Sequence, residues 1–207
     1  MNRVSKIITV QNSSGFKKKA LQWAQQFEEV VYLESNSDFQ ISKQQYKDYD
    51  AVLALGAQKS LSTSYNNAFQ KLKQFQNQSQ DFIFGHLNYD LKNDIEELSS
   101  SHDDEIEFPD LYFFQPKKIF LWRDNQLDVR YLRDYEKEIE LDLKTINEYS
   151  LCKRSGSQDP DIRKKISKKS YFKKVANILE HIHRGDIYEV NFCQEFYANN
   201  VLIDPVL

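Results

Sequence analysis

The sequence predicts an α+β fold with a largely antiparallel β-sheet and flanking helices. Two observations lead to this prediction. In the first hundred residues, short β-branched runs alternate with stretches whose apolar residues recur at helical spacing. Between residues 111 and 131, strand-like runs follow one another with only short breaks, as they do in an antiparallel meander. At 207 residues, 40% of them hydrophobic, the chain is long enough to bury a core.

Four strands and two helices are predicted in the first half of the chain. The strands are short apolar or β-branched runs at residues 6–10, 30–33, 51–55 and 82–87. The helices have apolar residues three or four positions apart, which are Phe16, Ala20, Trp23 and Phe27 in the first and Ala68, Leu72 and Phe75 in the second. Ser14 is the predicted N-cap of the first helix. Gly56 is expected to end the third strand, whereas Gly85 inside the fourth predicts a close backbone approach or a bulge.

Three further strands complete the predicted sheet, at residues 111–114, 119–122 and 127–131, with breaks at 115–118 and 123–126. Before them, residues 90–107 contain eight acidic residues and one lysine, which predicts a solvated acidic loop after a short helix, with a partner-binding patch as the alternative. After them, a linker is predicted at residues 152–164, where Gly, Ser and Pro occur without periodicity. The linker separates an N-terminal α+β domain, residues 1–151, from a second segment, residues 165–207.

The second segment begins with the strongest predicted helix of the chain. The helix is predicted to start at Ser167, apolar residues form one stripe along it, and Gly185 supplies its C-terminal stop. Residues 186–198 then alternate between two faces, which predicts a long central strand. The residues expected to be buried on one face of this strand are Tyr188, Val190, Phe192 and Phe196.

Composition excludes several classes of protein. No apolar run approaches the roughly 18 residues of a membrane span, and the N-terminus lacks a signal-peptide core, so a cytoplasmic protein without a membrane partner is expected. The five glycines occur singly, so neither a dinucleotide-binding nor a phosphate-binding glycine loop is present. Because the net charge is -3, the basic stretch at residues 163–174 is interpreted as a solvated helix face, and no nucleic-acid partner is expected.

The spacing of histidine and cysteine predicts neither a metal site nor a nucleophile. Cys152 and Cys193 are too few to staple a secreted scaffold, and neither has a second cysteine close by for a zinc knuckle. His181 and His183 lie two residues apart in a predicted helix, so they point to different sides of it. No catalytic residue and no metal ligand is therefore predicted in this chain.

A signature in the second segment carries a family resemblance. Residues 181–196 read HIHRGDIYEVNFCQEF and resemble the GDIYQVNLSQRF signature of the chorismate-utilising enzymes. The matching positions of this signature strand are Gly185, Asp186, Tyr188, Asn191 and Gln194. Upstream, four segments are similar to further landmarks of the family in the same order, namely YLESNS at 32–37, YDAVLA at 49–54, FGHLNYD at 84–90 and FPDL at 108–111. Within this family, which includes anthranilate synthase component I, the chain most closely resembles aminodeoxychorismate synthase component I.

The resemblance covers nearly the whole chain but implies only part of an enzyme. It implies an N-terminal domain of the anthranilate synthase component I type, followed by the first helix and strand of a chorismate-binding domain. The catalytic residues and metal-binding glutamates of the family would lie beyond Leu207, so a truncated gene product that is inactive alone is expected. Glu189 stands where the family has glutamine, and residues 192–195 replace LSQR, which removes an arginine from the strand.

The resemblance also implies a ligand pocket of the kind that binds tryptophan in relatives. Its residues would be Glu34, Ser35, Tyr46, Tyr49 and Tyr188. Aromatic side chains would stack on an indole, while a serine hydroxyl and backbone groups would fix its polar end. The alternative is structural: Tyr49 and Tyr188 pack in the core, and Ser35 caps a turn.

The implied function is that of aminodeoxychorismate synthase component I, in the pathway to folate. The full-length enzyme would replace the C4 hydroxyl of chorismate with an amino group, using ammonia from a glutamine amidotransferase component II, with Mg²⁺ as cofactor. Anthranilate synthase component I is the alternative within the family. Val190-Asn191 favours the first reading, because relatives of that kind have VN here. A non-catalytic binding or docking module is the alternative from a different class.

The predicted strand at 186–198 also bears on association. If the chain stops inside the catalytic domain, this strand would keep an unpaired edge and an exposed apolar surface. A two-fold homodimer through the C-terminal segment is then expected. The alternative is that residues 165–207 fold back over the N-terminal sheet and leave a monomer.

Overall fold

The structure is a computed structural model that describes residues 2–35, 48–98, 104–151 and 160–203. The chain divides into two compact units, Met1–Leu151 and Cys152–Leu207, and each is described by itself. The first unit combines an antiparallel sheet with helices, so the predicted α+β class is confirmed. Within the described ranges, no helix has both the length and the apolar character needed to cross a membrane.

In the described part of the first unit, six strands form one sheet. They are β1 (Arg3–Thr9), β2 (Val30–Glu34), β3 (Ala51–Thr63), β4 (Phe84–Leu87), β5 (Leu111–Arg123) and β6 (Gln126–Leu132). The strand order is β1-β6-β5-β3-β2. Strand β4 pairs with β5 at the end of β5 that does not pair with β6. Every one of these pairings is antiparallel. The two longest strands, β3 and β5, form the centre of the sheet.

Two predicted strand ends are wrong, and a β-bulge explains both. β3 does not stop at Gly56 but continues to Thr63, with Gly56 at a φ of +63° and a register shift between Ala57 and Lys59. β5 runs without a break through residues 115–118, because Pro116 lies opposite Ala57 beside the bulge, where a missing N–H is tolerated. The break predicted at residues 123–126 is confirmed as the turn between β5 and β6.

Glu29 holds this bulge in place from the end of the preceding loop. Its backbone carbonyl accepts a hydrogen bond from the N–H of Gly56 at 2.9 Å, and its carboxylate accepts one from the N–H of Ala57 at 3.0 Å. The hydroxyl of Tyr112 also donates to this carboxylate at 3.3 Å. Burial and the adjacent Glu29 charge raise the pKa of Tyr112, so the phenol remains a donor at neutral pH.

Helix α1 (Ser13–Ala24) covers one face of the sheet as its periodicity predicts. Its N-cap is Asn12, whose side-chain oxygen accepts the N–H of Gly15 at 2.9 Å, so the prediction of Ser14 as N-cap is wrong by two residues. Phe16, Ala20 and Trp23 are buried as predicted, whereas Phe27 lies beyond the end of the helix and is partly buried. The helix faces a core composed mainly of Phe16, Ala20, Trp23, Leu53, Leu55, Phe120, Trp122, Leu127, Val129 and Tyr131.

Helix α3 (Ile139–Glu148), which the sequence analysis did not predict, completes this layer. Ile139 and Ile146 are buried in the same core. Lys118 of β5, which is 5% exposed, reaches α3 and places its ammonium 2.5 Å from the carboxylate of Asp142. The hydroxyl of Tyr131 donates to the same carboxylate at 2.8 Å. This buried ion pair therefore fixes α3 against the sheet.

Helix α2 (Ala68–Ser79) is confirmed and takes its N-cap from another element. Asn67 precedes it with a φ of 52°, and its side chain makes no capping hydrogen bond. Instead the carboxylate of Asp94, at the end of a 3₁₀ helix (Tyr89–Asp94), accepts the N–H groups of Asn67 at 2.8 Å and Phe69 at 3.3 Å. A carboxylate here satisfies free donors and favours the positive end of the helix dipole.

We expect Asp94→Ala to lower the free energy of unfolding of the first unit by about 1 kcal/mol, the usual cost of losing an N-cap. Chemical denaturation with a far-UV signal measures this difference. Asp90→Ala is the matched control in the same 3₁₀ helix: Asp90 pairs with Lys92, and because this pair is partly exposed, its loss should cost less than the loss of the cap. Equal stability of wild type and Asp94→Ala would show that this carboxylate is not the cap.

The second unit confirms the predicted helix and corrects the predicted strand. Helix α4 (Lys168–Arg184) starts after Ser167, whose hydroxyl accepts the N–H of Ser170 at 3.2 Å, and ends at Gly185 with a φ of 81°. Within residues 186–198, however, only β8 (Phe196–Tyr197) is a strand, and it pairs with the two-residue β7 (Arg163–Lys164).

The burial expected for the alternating residues of this segment is therefore also wrong. Tyr188 is 91% exposed, Phe196 is 60% exposed and Val190 is 47% exposed. Phe192 is partly buried, and its ring packs on that of Tyr171 with centroids 5.2 Å apart. The reason is that alternation specifies two faces of a strand only where a neighbouring strand supplies a ladder, and β7 supplies two residues of one.

Candidate functional site

Three of the predicted ligand-binding residues lie together where β2 ends and the chain enters β3. The N–H of Ser35 donates to the carbonyl of Asp50 at 2.8 Å, and its hydroxyl donates to the carbonyl of Tyr49 at 3.0 Å. Both bonds hold the chain that leads into β3 beside the end of β2. Ser35 thus stabilises this turn, in agreement with the structural alternative for this residue. Its hydroxyl oxygen can still accept a hydrogen bond from a ligand.

Glu34 is an ionised group at the same strand end. Its carboxylate accepts a hydrogen bond from the ammonium of Lys17 on α1 at 2.9 Å. This bond, aided by a hydrogen bond from Tyr32, holds the pKa of Glu34 below its ordinary value. Burial and the neighbouring carboxylate raise the pKa of Tyr32 well above its usual range. Glu34 therefore places a negative charge here at neutral pH.

Tyr49 supplies a half-buried aromatic ring next to two guanidinium groups. The guanidinium of Arg123, the last residue of β5, lies 5.4 Å from the centre of the ring, within cation–π distance. Its Nε also donates to the carbonyl of Asp48 at 2.8 Å, which keeps it in this position. The pKa of Arg130 is raised chiefly by its hydrogen bond to Asp128 and further by one to the hydroxyl of Tyr49.

These groups have complementary chemistry around the start of β3. A carboxylate, a hydroxyl, an aromatic ring and an exposed guanidinium are the groups that recognise an amino acid with an aromatic side chain. The ring would contact Tyr49, while charged ends of opposite sign would suit Glu34 and Arg123. Each of these groups can contact a ligand through charge, hydrogen bonding or ring stacking.

The remaining predicted pocket residues are placed differently. Tyr46 lies outside the described residues, so the pocket role predicted for it stays a prediction. Tyr188 belongs to the second unit, where its side chain is 91% exposed. The alternative in which Tyr188 packs in a core is therefore wrong.

The residues predicted for the signature strand lie at the C-terminal end of helix α4 and in the chain that follows it. The N–H of Gly185 donates to the carbonyl of Ile182 at 3.0 Å, and that of Asp186 to the carbonyl of His181 at 3.0 Å. The carboxylate of Asp186 accepts hydrogen bonds from Arg184 and lies 2.7 Å from Nδ1 of His181, and these bonds, that of Arg184 above all, lower its pKa. Asn191 and Gln194 follow in extended chain outside any strand, the first exposed and the second partly exposed.

Sequence reasoning missed two residues of this site, Lys17 and Arg123. Nothing in the sequence around Lys17 distinguishes it from the neighbouring lysines of α1. Arg123 was assigned only to a turn. Its place beside Tyr49 follows from the pairing of β3 with β5, in which Ala51 lies opposite Trp122. A contact between residues 74 positions apart leaves no local signal.

The described residues do not provide a binding site for the magnesium ion that is expected for the full-length enzyme. Among the described residues, no group of three or more His, Cys, Asp and Glu side chains could hold a metal ion. The described carboxylates of the site do not fit this role either, because Glu34 is paired with Lys17 and Asp50 accepts the N–H of Asp124. No magnesium-binding set is therefore assigned to this part of the chain.

Comparison with known proteins gives one clear match. A family model described as chorismate binding enzyme matches residues 16–206. The match begins in helix α1 and extends through both units, so it includes the candidate site and the signature after α4. A search of the curated proteins found no match.

Proposed function

Because this chain belongs to the family of chorismate-binding enzymes, we propose that it serves as component I of aminodeoxychorismate synthase. The observation that carries the proposal is the signature GDIYEVN at residues 185–191, within the matched region. Val190-Asn191 favours the aminodeoxychorismate reaction over the anthranilate reaction.

The proposed reaction replaces the C4 hydroxyl of chorismate with an amino group. Chorismate and ammonia would give 4-amino-4-deoxychorismate and water, and the ammonia would come from glutamine through an amidotransferase partner. Among the described residues, no group of three or more His, Cys, Asp and Glu side chains could hold Mg²⁺. Their proposed part in the enzyme is therefore to form the N-terminal domain and its ligand-binding site, in the cytoplasm.

Anthranilate synthase component I remains the second candidate, since it also aminates chorismate, at a different ring carbon, and then eliminates pyruvate. Sequencing the gene past codon 207 distinguishes the two. An open frame that encodes PIKGT supports the aminodeoxychorismate enzyme, and PIAGT supports the anthranilate enzyme. A stop codon at that point would instead favour a binding or docking module without turnover. Growth of para-aminobenzoate or tryptophan auxotrophs that carry the gene checks the assignment independently.

We expect the 207-residue chain alone to form no product from chorismate. The physical reason is that no group of three or more His, Cys, Asp and Glu side chains among its described residues could hold the Mg²⁺ of the proposed reaction. Incubation with chorismate, ammonia and Mg²⁺, followed by chromatography, measures the products. Aminodeoxychorismate or anthranilate above the level of a protein-free sample would contradict this expectation.

We further propose that the site at the start of β3 binds tryptophan or a similar aromatic amino acid. Its support is the half-buried ring of Tyr49 beside the guanidinium of Arg123, at the end of the sheet where the hydroxyl of Ser35 and the carboxylate of Glu34 also lie. Tyr49→Ala removes the stacking surface and should weaken binding by roughly tenfold, because a ring contact contributes about 0.5–1.5 kcal/mol beyond its buried area. Isothermal titration with L-tryptophan measures the dissociation constant.

Tyr89→Ala is the control for this titration. Tyr89 is 84% exposed in the 3₁₀ helix of the same unit, and its substitution removes an equal amount of side chain away from the site. Unchanged binding in Tyr89→Ala together with loss in Tyr49→Ala supports the site. If wild type does not bind, or if both variants lose affinity equally, the proposed site is wrong.

A further inference from the structure

Helix α4 has an apolar stripe that its own unit does not cover. Phe172 and Leu179, seven residues apart on one side of the helix, are 58% and 46% exposed. An adjacent side of the helix is partly buried, and Tyr171 on that side packs on Phe192. The helix thus uses one side within its unit and leaves the stripe of Phe172 and Leu179 at the surface.

Positive charge lies beside the N-terminal part of this exposed stripe. Lysines at four positions of the first two turns, all exposed, are Lys168, Lys169, Lys173 and Lys174. The ammonium of Lys168 lies 5.7 Å from the ring of Phe172, so charge and apolar surface are continuous. The only acidic residue in the helix is Glu180. Two α4 helices that faced each other would therefore repel, and the charge favours a partner surface that is acidic and apolar.

The first unit carries a surface of that kind, here called the acidic segment and defined as residues 90–98 and 104–108. Its exposed apolar residues are Ile95 at 69%, Leu98 at 55%, Ile106 at 72% and Phe108 at 61%. Glu96, Glu97 and Glu107 lie beside them and are exposed. Like the α4 surface, the acidic segment combines exposed apolar side chains with charges of one sign, and that sign is opposite to the sign on α4.

We propose that two copies of this chain associate reciprocally, with the exposed stripe of α4 in each copy against the acidic segment of the other. A two-fold arrangement makes this contact twice, which doubles the apolar area removed from water. Phe172 and Leu179 would lie at the centre of each contact, and lysine–glutamate pairs would surround them. This arrangement differs from a dimer in which the two C-terminal segments pair with each other, since that pairing would bring the two sets of lysines together.

Charge reversal on either surface tests the proposal by sedimentation of the full chain at micromolar concentrations. One variant has Lys169→Glu, Lys173→Glu and Lys174→Glu, and the other has Glu96→Lys, Glu97→Lys and Glu107→Lys. We expect wild type to dimerise, each variant alone to be monomeric, and an equimolar mixture of the two variants to dimerise again. All six positions are exposed, so far-UV circular dichroism should show that both variants keep the fold. The wild-type dimer should weaken between about 50 and 500 mM salt as the charges are screened.

The mixture separates association between copies from docking within one chain. Rescue in the mixture supports reciprocal contact, because the reversed helix of one variant then meets the reversed segment of the other. A wild-type monomer at every concentration overturns the proposal. It is equally overturned if wild type dimerises and either variant remains a dimer, because the contact would then lie elsewhere. A mixture that stays monomeric also contradicts it.

Discussion

Asp81→Ala is expected to lower the free energy of unfolding of the first unit by about 3–5 kcal/mol, because it leaves a buried guanidinium without its counter-charge. The side chains of Arg3 and Asp81 are 4% and 2% exposed, and Nε of Arg3 donates to both carboxylate oxygens at 2.8 and 3.0 Å. Gln115 donates to the same carboxylate at 2.8 Å, and Nη2 of Arg3 donates to the carbonyl of Pro116 at 2.6 Å. The pair joins β1 to β5 and to the chain after α2.

Urea denaturation measures the loss, and two further variants show its origin. Lys6→Ala breaks a solvent-exposed ion pair with Glu140 and should cost less than about 1 kcal/mol. The double variant Arg3→Met with Asp81→Leu removes both charges, so it should be more stable than Asp81→Ala. If Asp81→Ala costs no more than Lys6→Ala, the carboxylate is not the partner of a buried charge.

The same pair should make stability depend on pH. Burial raises the pKa of Asp81, but the hydrogen bonds from Arg3, Gln115 and the N–H of Phe82 outweigh it and leave the pKa below its ordinary value. A folded-state pKa below that of the unfolded chain adds stability above about pH 4, and this stability is lost as the pH falls through the folded-state pKa. The difference between wild type and Asp81→Ala should therefore shrink in acid. A constant difference from pH 6 to pH 2 would contradict this assignment.

Gly85→Ala is expected to detach β4 from the sheet. A Cβ atom added to Gly85 would lie 1.9 Å from the carbonyl oxygen of Tyr112 and 2.7 Å from Cα of Phe113. Both atoms belong to the backbone of β5, so no side-chain rotation relieves the contact. We expect a loss of more than about 2 kcal/mol, at the upper end of overpacking effects, with faster amide exchange confined to residues 84–87.

Gly56→Ala is the matched control in the same sheet. Gly56 has a φ of +63°, and an added Cβ would meet side-chain atoms only at 3.5 Å and beyond. Its cost is therefore backbone strain of about 1–2 kcal/mol. Amide exchange at β4 in Gly56→Ala should match that of wild type. If Gly85→Ala costs the same as Gly56→Ala and leaves the β4 amides protected, the close approach is not what selects glycine here.

Local patterns in the sequence predicted most of the elements. The apolar spacing of α1, α2 and α4 was sufficient because a helix buries one side at intervals of three and four residues whatever it packs against. Gly185 ends α4 as predicted, since a cap acts on the backbone of its own helix, and the predicted start at Ser167 is one residue early because Ser167 is the N-cap. Gly85 was recognised because a glycine inside an apolar strand has few explanations other than close contact.

The candidate site was only partly predictable. Glu34, Ser35 and Tyr49 were found through the family resemblance, and the structure shows them where β2 ends beside the start of β3. Lys17 and Arg123 were missed because they reach this place from α1 and from β5, and no sequence spacing relates them to it. The same holds for Asp94, which caps a helix that begins 26 residues earlier in the chain.

The sequence by itself thus determined helices α1, α2 and α4, the C-terminal end of α4 and the α+β class, because these depend mainly on interactions between residues a few positions apart. Only the tertiary structure decided which strands continue and which do not. Pro116 lies inside β5 because its partner strand has a bulge, and residues 187–195 stay outside any strand although they alternate in sequence. A strand exists only where a neighbour satisfies its N–H and C=O groups, and that neighbour is chosen by contacts distant in sequence.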